Sequence, residues 1–139
     1  MRKMLCVVWA VICLLSLTSC QETQMKEYYL QKENYVSARG KLIHISEDKE
    51  TNILHFGFEE LNQHFSGRSF CIEGDNLKIV KERGIFEKIQ IGNYIDFITA
   101  PKYFGDGYVM PIVGITVDGE ELLSFEEGWE NYLEFKGWK

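Results

Sequence analysis

The sequence predicts a mainly β domain: a five-stranded Greek-key barrel with a short helix between its third and fourth strands, and a further helix at the C-terminus. Three observations carry this expectation. After residue 35 the apolar residues alternate in successive short runs, the period of half-buried strands. The first run changes its apolar face midway, as a strand shared between two halves of a curled sheet must. A helical segment bracketed by Asp75 and Gly84 separates the third run from the fourth.

The chain begins with a basic pair, Arg2 and Lys3, then a thirteen-residue apolar run from Leu5 to Leu17, then small residues leading into a cysteine. A membrane-spanning helix needs roughly 20 apolar residues, so the run is short for a transmembrane anchor. The layout resembles a bacterial lipoprotein signal peptide, with Leu17-Thr18-Ser19-Cys20 as its lipobox. That resemblance implies removal of residues 1–19 and acylation of Cys20, with the domain exported and held at a bacterial membrane by its N-terminal lipid. Gln21, in place of an Asp, then leans towards the outer membrane in a Gram-negative cell; in a Gram-positive cell the lipid sits in the outer face of the cell membrane. Cys6 and Cys13 leave with the peptide, so Cys71 stands alone and is expected as a small buried hydrophobe without a disulfide. Losing Arg2 and Lys3 takes the formal charge from −6 to −8. So acidic a domain is a poor partner for nucleic acid, whose phosphates must be neutralised by Lys and Arg.

Residues 20–34 are mostly polar and read as the lipidated N-terminus and a tether, with order expected near Tyr28, Tyr29 and Leu30. Residues 35–139 form the domain. Its first strand, Tyr35 to Ile45, places Val36, Ala38, Gly40 and Leu42 on one face and Ile43 and Ile45 on the other, with the bend expected at Gly40. A charged turn, Ser46 to Glu50, leads into Thr51 to Phe58, where Leu54, Phe56 and Phe58 alternate. The third strand is expected at Arg68 to Glu73. Asp75 is expected to cap a helix over residues 76–83, with Gly84 ending it in the left-handed region and Ile85, Phe86 and Ile89 adding a further turn. The fourth strand runs from Tyr94 to Ala100, and Pro101, lacking an amide proton, ends its pairing. The fifth runs from Val109 to Val117. Asp118-Gly119 suits a two-residue type I′ turn into a short returning strand, Glu120 to Leu123. Ser124 and Glu127 have capping-box spacing, Phe125, Trp129, Tyr132 and Leu133 share one helical face, and Gly137 closes that last helix.

This order, with Gly40, the Ile91-Gly92-Asn93 turn and the Pro111 to Ile115 strand, resembles the OB-fold-like domains of small bacterial lipoproteins over residues 35–123. An α+β roll or an SH3-like barrel is the competing architecture. In OB-like proteins the loops joining strands one to two and four to five flank the binding face. The second of these loops contains Tyr103, Phe104 and Tyr108 around two glycines, a candidate stacking platform for a sugar, peptide or cofactor ring. The bland alternative is a hairpin whose aromatics fold back as a lid.

Other chemistry is thin. With the first hairpin turning at Lys49-Glu50, His44 and His55 fall opposite each other and form a candidate metal pair, with Glu59 or Glu60 to assist. His64 is the third histidine. Asp96 and Glu121 can be imagined as an acid/base pair, though nothing in the sequence constrains their separation. Glu126, Glu130 and Glu134 read as the solvated face of the last helix. No nucleophile elbow, phosphate-binding glycine loop or cofactor signature occurs. The expectation is therefore a membrane-anchored, non-catalytic binding module of the cell envelope, without a cofactor, whose partner is an envelope protein or a small molecule. A structural accessory subunit docking through the helix from Phe125 to Trp138 is the alternative, and a small metal-dependent hydrolase the third.

Overall fold

The computed structural model describes residues 2–61, 65, 69–102, 104–105 and 109–139, with the side chains of residues 2–5 and 13–18 left aside. The elements run α1 (Arg2–Tyr29), a 3-10 turn (Lys32–Asn34), β1 (Val36–Asp48), β2 (Ile53–Glu59), β3 (Ser69–Glu73), α2 (Asp75–Glu82), α3 (Ile85–Lys88), β4 (Tyr94–Thr99), β5 (Met110–Val117), β6 (Glu120–Leu123) and α4 (Phe125–Phe135).

β1 pairs with two strands in succession. Val36 to Lys41 run antiparallel to β4, and Lys41 to Asp48 run antiparallel to β2. β3 joins β2, and β5 joins β4. A short parallel pairing of Phe70 and Cys71 with Met110 and Pro111 closes the circle. The result is a closed five-stranded, OB-fold-like barrel. β6 lies outside the circle, continuing along β5 where β3 leaves it.

The bend in β1 falls three residues later than the sequence suggests. Leu42 pairs with Phe58 and His44 with Gly57, so Ile43 is the extra residue of a bulge. The bulge keeps Leu42 and Ile45 on the core side despite their odd spacing and leaves Ile43 half-exposed. Gly40 serves another purpose. A Cβ there would come within 2.8 Å of Phe58 and 2.7 Å of Leu61, so glycine permits the close approach rather than the bend.

Inside the barrel, Phe58 and Phe97 stack with ring centroids 4.6 Å apart, and Phe70 meets Phe97 edge-on at 5.0 Å. Leu77 and Val80 of α2 and Ile85 of α3 enter the same core. Gly74 (φ 64°) precedes α2, so Asp75 is its first residue rather than the expected cap, and Gly84 (φ 81°) turns the chain into α3. Asp118 and Gly119 both have positive φ, as a type I′ turn requires. Pro111 is accommodated in β5 because the β4–β5 register slips beside it, and the Thr99 hydroxyl donates to its carbonyl at 2.7 Å.

A second, smaller core lies outside the barrel. α4 begins where Ser124 accepts from the Glu127 amide, and packs across β5 so closely that a Cβ on Gly128 would sit 1.9 Å from the Val113 carbonyl oxygen. Asn76, buried in α2, ties this crossing by donating to the Gly128 carbonyl and accepting from Asn131. Gly137 (φ 71°) ends α4 with the Trp138 amide bonded to the Leu133 carbonyl and its own amide to the Glu134 carbonyl. This left-handed cap returns Trp138 over the helix. There it stacks on Tyr29 at 5.6 Å, while Tyr132 meets the same ring edge-on.

The segment expected as a tether is therefore helical as far as Tyr29, and its end belongs to this core. Tyr29 is 0% exposed, and its carbonyl accepts from Trp129 Nε1 and the Tyr35 hydroxyl. Replacing Tyr29 by Ala is expected to cost about 3–5 kcal/mol, as for other large aromatic truncations. Urea unfolding followed by tryptophan emission measures it, and an unchanged midpoint would remove residues 25–30 from the fold. Gly128→Ala is expected to destabilise severely, since the clash is with backbone; a wild-type melting temperature would contradict the crossing described.

Candidate functional site

An open concavity on the outer face of β1, β4, β5 and β6 encloses about 320 Å³. That is the lower end of the range for small-ligand sites. Register builds it. Arg39 pairs with Asp96, Asp96 with Thr116, and Thr116 with Glu121. One line across four strands thus carries a cation, a carboxylate, a hydroxyl and a second carboxylate, on a face where paired residues share a side. Ser37 lies beside this row. Gly114 forms part of the floor, where a Cβ would meet the Ile98 side chain at 3.1 Å.

The Arg39 guanidinium holds both oxygens of Asp96, at 3.2 and 3.0 Å, and also lies over the Tyr94 ring. Both partners are more than half exposed, so the pair orients groups more than it stabilises the fold. Asp96 and Glu121 stand two strand spacings apart, roughly 10 Å between backbones. The groove can therefore offer two carboxylates, a guanidinium and two hydroxyls to a polar ligand lying across the strands. Sequence reasoning reached Asp96 and Glu121 but missed Arg39, Ser37 and Thr116, because only the register joins them.

The histidine pair takes a different geometry from the one expected. The first hairpin turns through four residues, Lys49 to Asn52, with the Asp48 carboxylate accepting from the amides of Glu50 and Thr51. His44 consequently faces Gly57, while His55 faces Ser46. The two imidazoles share the outer face diagonally rather than as a direct pair, and His44 instead meets the Ser46 hydroxyl at 3.0 Å. Glu59 is engaged by Lys41, and Glu60 by the Tyr94 hydroxyl. Among the described residues no group of three metal-ligating side chains converges. His64 lies outside those residues.

Of the aromatic loop, Tyr103 and Tyr108 also lie outside the described residues. Phe104 is half-buried and meets the rings of Tyr28 and Tyr29 at 5.5 and 5.7 Å, with the Lys102 ammonium over its own ring at 4.9 Å. Its side chain thus folds back onto the end of α1. The apolar face of α4 is likewise occupied: Tyr132 and Leu133 are buried, and Trp129 is half-buried against Tyr29.

Cys20 is exposed on α1, whereas Cys71 is buried beside His55 and Pro111 in the ladder. Burial pushes the Cys71 thiol up to about 12 from an ordinary value of 9.0, with the Glu73 carboxylate adding to the effect. The native state keeps its proton where an unfolded chain would lose it. Stability from this group is complete below pH 9 and falls as pH rises towards 12, by about 1.4 kcal/mol per unit. Cys71 is accordingly expected to resist a thiol reagent at pH 8 until denaturant is added. Rapid labelling at Cys71 itself in the folded chain, located by peptide mass, would contradict this burial.

No known protein family, curated protein or solved structure gives a significant match to this chain.

Proposed function

We propose that this chain is a membrane-anchored, non-catalytic binding module of the bacterial cell envelope, held by a lipid on Cys20 and presenting the Arg39–Asp96–Thr116–Glu121 groove to a polar ligand. The observation that carries the anchor is a change of character along α1. Val7, Val8, Trp9, Val11 and Ile12 are apolar yet half to two-thirds exposed. Ser19 and Gln21, on either side of the exposed Cys20, both lie against the domain. Exposed apolar residues of this kind, lying ahead of that cysteine, suit a leader that is removed there. Among the described residues no helix is long and apolar enough to cross a membrane.

The binding reading rests on the groove. Its two hydroxyls and mixed charges, one cation against two anions, favour a neutral or cationic ligand rich in hydroxyl or amine groups.

Two measurements test the proposal. Cells fed an alkyne-bearing palmitate are expected to label the protein, and Cys20→Ala to abolish both the label and recovery in the membrane fraction. A labelled Cys20→Ala protein would end the anchor reading. A photoreactive residue at Ser37 is expected to give a discrete adduct in the envelope, lost when Thr116→Trp fills the groove. Absence of an adduct, or one indifferent to Thr116→Trp, would remove the groove as the ligand surface.

A further inference from the structure

Cys20 has no slack between itself and the domain. Just after it, the Gln21 side chain donates from Nε2 to the Phe104 carbonyl at 2.8 Å. Glu22, Thr23 and Lys26, all of which follow Cys20, lie across a cleft from Lys136, Gly137 and Trp138. Nine residues beyond Cys20, Tyr29 is clamped in the second core. Over that span a helix rises only about 13 Å, and here it lies against the domain rather than projecting from it. A flexible linker of the same length would allow a mean separation of roughly 15–18 Å, with free rotation.

We propose that this end of the domain, formed by Lys26, Lys102, Phe104, Lys136 and Trp138, is a bilayer-contact surface laid directly on lipid headgroups by the acyl chains of Cys20. The inference rests on the lipid-anchor reading above. The side chains suit the task. Lys102 lies over the rings of Tyr28 and Phe104 at 5.4 and 4.9 Å, and Lys136 over those of Tyr132 and Phe135 at 5.6 and 5.4 Å. Aromatic residues and lysines of this kind sit at the level of headgroups, with apolar bodies inward and polar tips in the interface. Glu22 lines the same cleft and Glu73 holds Lys136 at 2.8 Å, so local charge is offset. The acyl chains supply the attachment, and the surface is expected to rest on zwitterionic headgroups without needing anionic ones.

Once residues 1–19 are removed, Trp129 and Trp138 are the tryptophans that remain. The acylated protein is recovered from membranes, its lipid verified by mass, and placed in phosphatidylcholine vesicles spin-labelled at the headgroup. Tryptophan emission is expected to be quenched, and a Gly/Ser insertion between Gln21 and Glu22 to restore it. Trp129→Phe isolates Trp138 and is expected to retain the quenching; the unsubstituted protein gives the same sign should that variant fold poorly. An acylated protein that is not quenched, or is quenched equally with the insertion, overturns the contact surface alone. Absence of acyl mass on Cys20 overturns the anchor reading, and this surface with it.

Discussion

β1 has to satisfy two sheets with one backbone, and the rest of the molecule follows from how it does so. Its first half gives its hydrogen bonds to β4 and its second half to β2, with Lys41 shared between them. Such a strand must coil sharply, and an unrelieved coil would rotate its side chains out of the core. The extra residue at Ile43 absorbs the rotation. Leu42 and Ile45 can then both face Phe56 and Phe58, and the barrel closes around one aromatic stack. The same pairing aligns Arg39 with Asp96, from which the row across β5 and β6 extends.

Outside the barrel the organising contact is backbone against backbone. Gly128 lets α4 approach the Val113 carbonyl, and the helix then offers Tyr132, Leu133 and Trp129 as a seat for the end of α1. This seat explains why an acidic, mostly polar stretch becomes ordered. Its few aromatic residues find rings prepared for them, and each such ring pair adds about 0.5–1.5 kcal/mol beyond the area it buries.

Much of this was legible in the residues. Alternation placed the strands, Gly84, Asp118-Gly119 and Gly137 marked real left-handed turns, and the Ser124 cap and the apolar face of α4 stand where their spacing puts them. What was not legible depends on register. Leu42 and Ile43 read as neighbours on opposite faces, with nothing local to say that Ile43 is an inserted residue. Lys49-Glu50 reads as the tip of a hairpin, yet the Asp48 carboxylate organises a four-residue turn, and that shift of two separates His44 from His55. The groove needs register across four strands, including slips beside Thr99 and Thr116, so no single segment announces it. The order of residues 25–30 was hinted by Tyr28 and Tyr29, but Tyr28 meets Lys102 and Phe104, and Tyr29 meets α4 and Trp138, about a hundred residues away.

That separation sets an order of events during synthesis. Tyr29 is made early, whereas two of the rings that hold it, Tyr132 and Trp138, lie at the far end of the chain. Until those residues emerge, the N-terminal helix lacks that part of its seat, and the segment around Cys20 is not yet held against the C-terminus. Completion of α4 then draws the segment down. The fold thereby separates an early period in which this segment is undocked from a later one in which it is fastened to the domain, using only the direction in which a polypeptide is made.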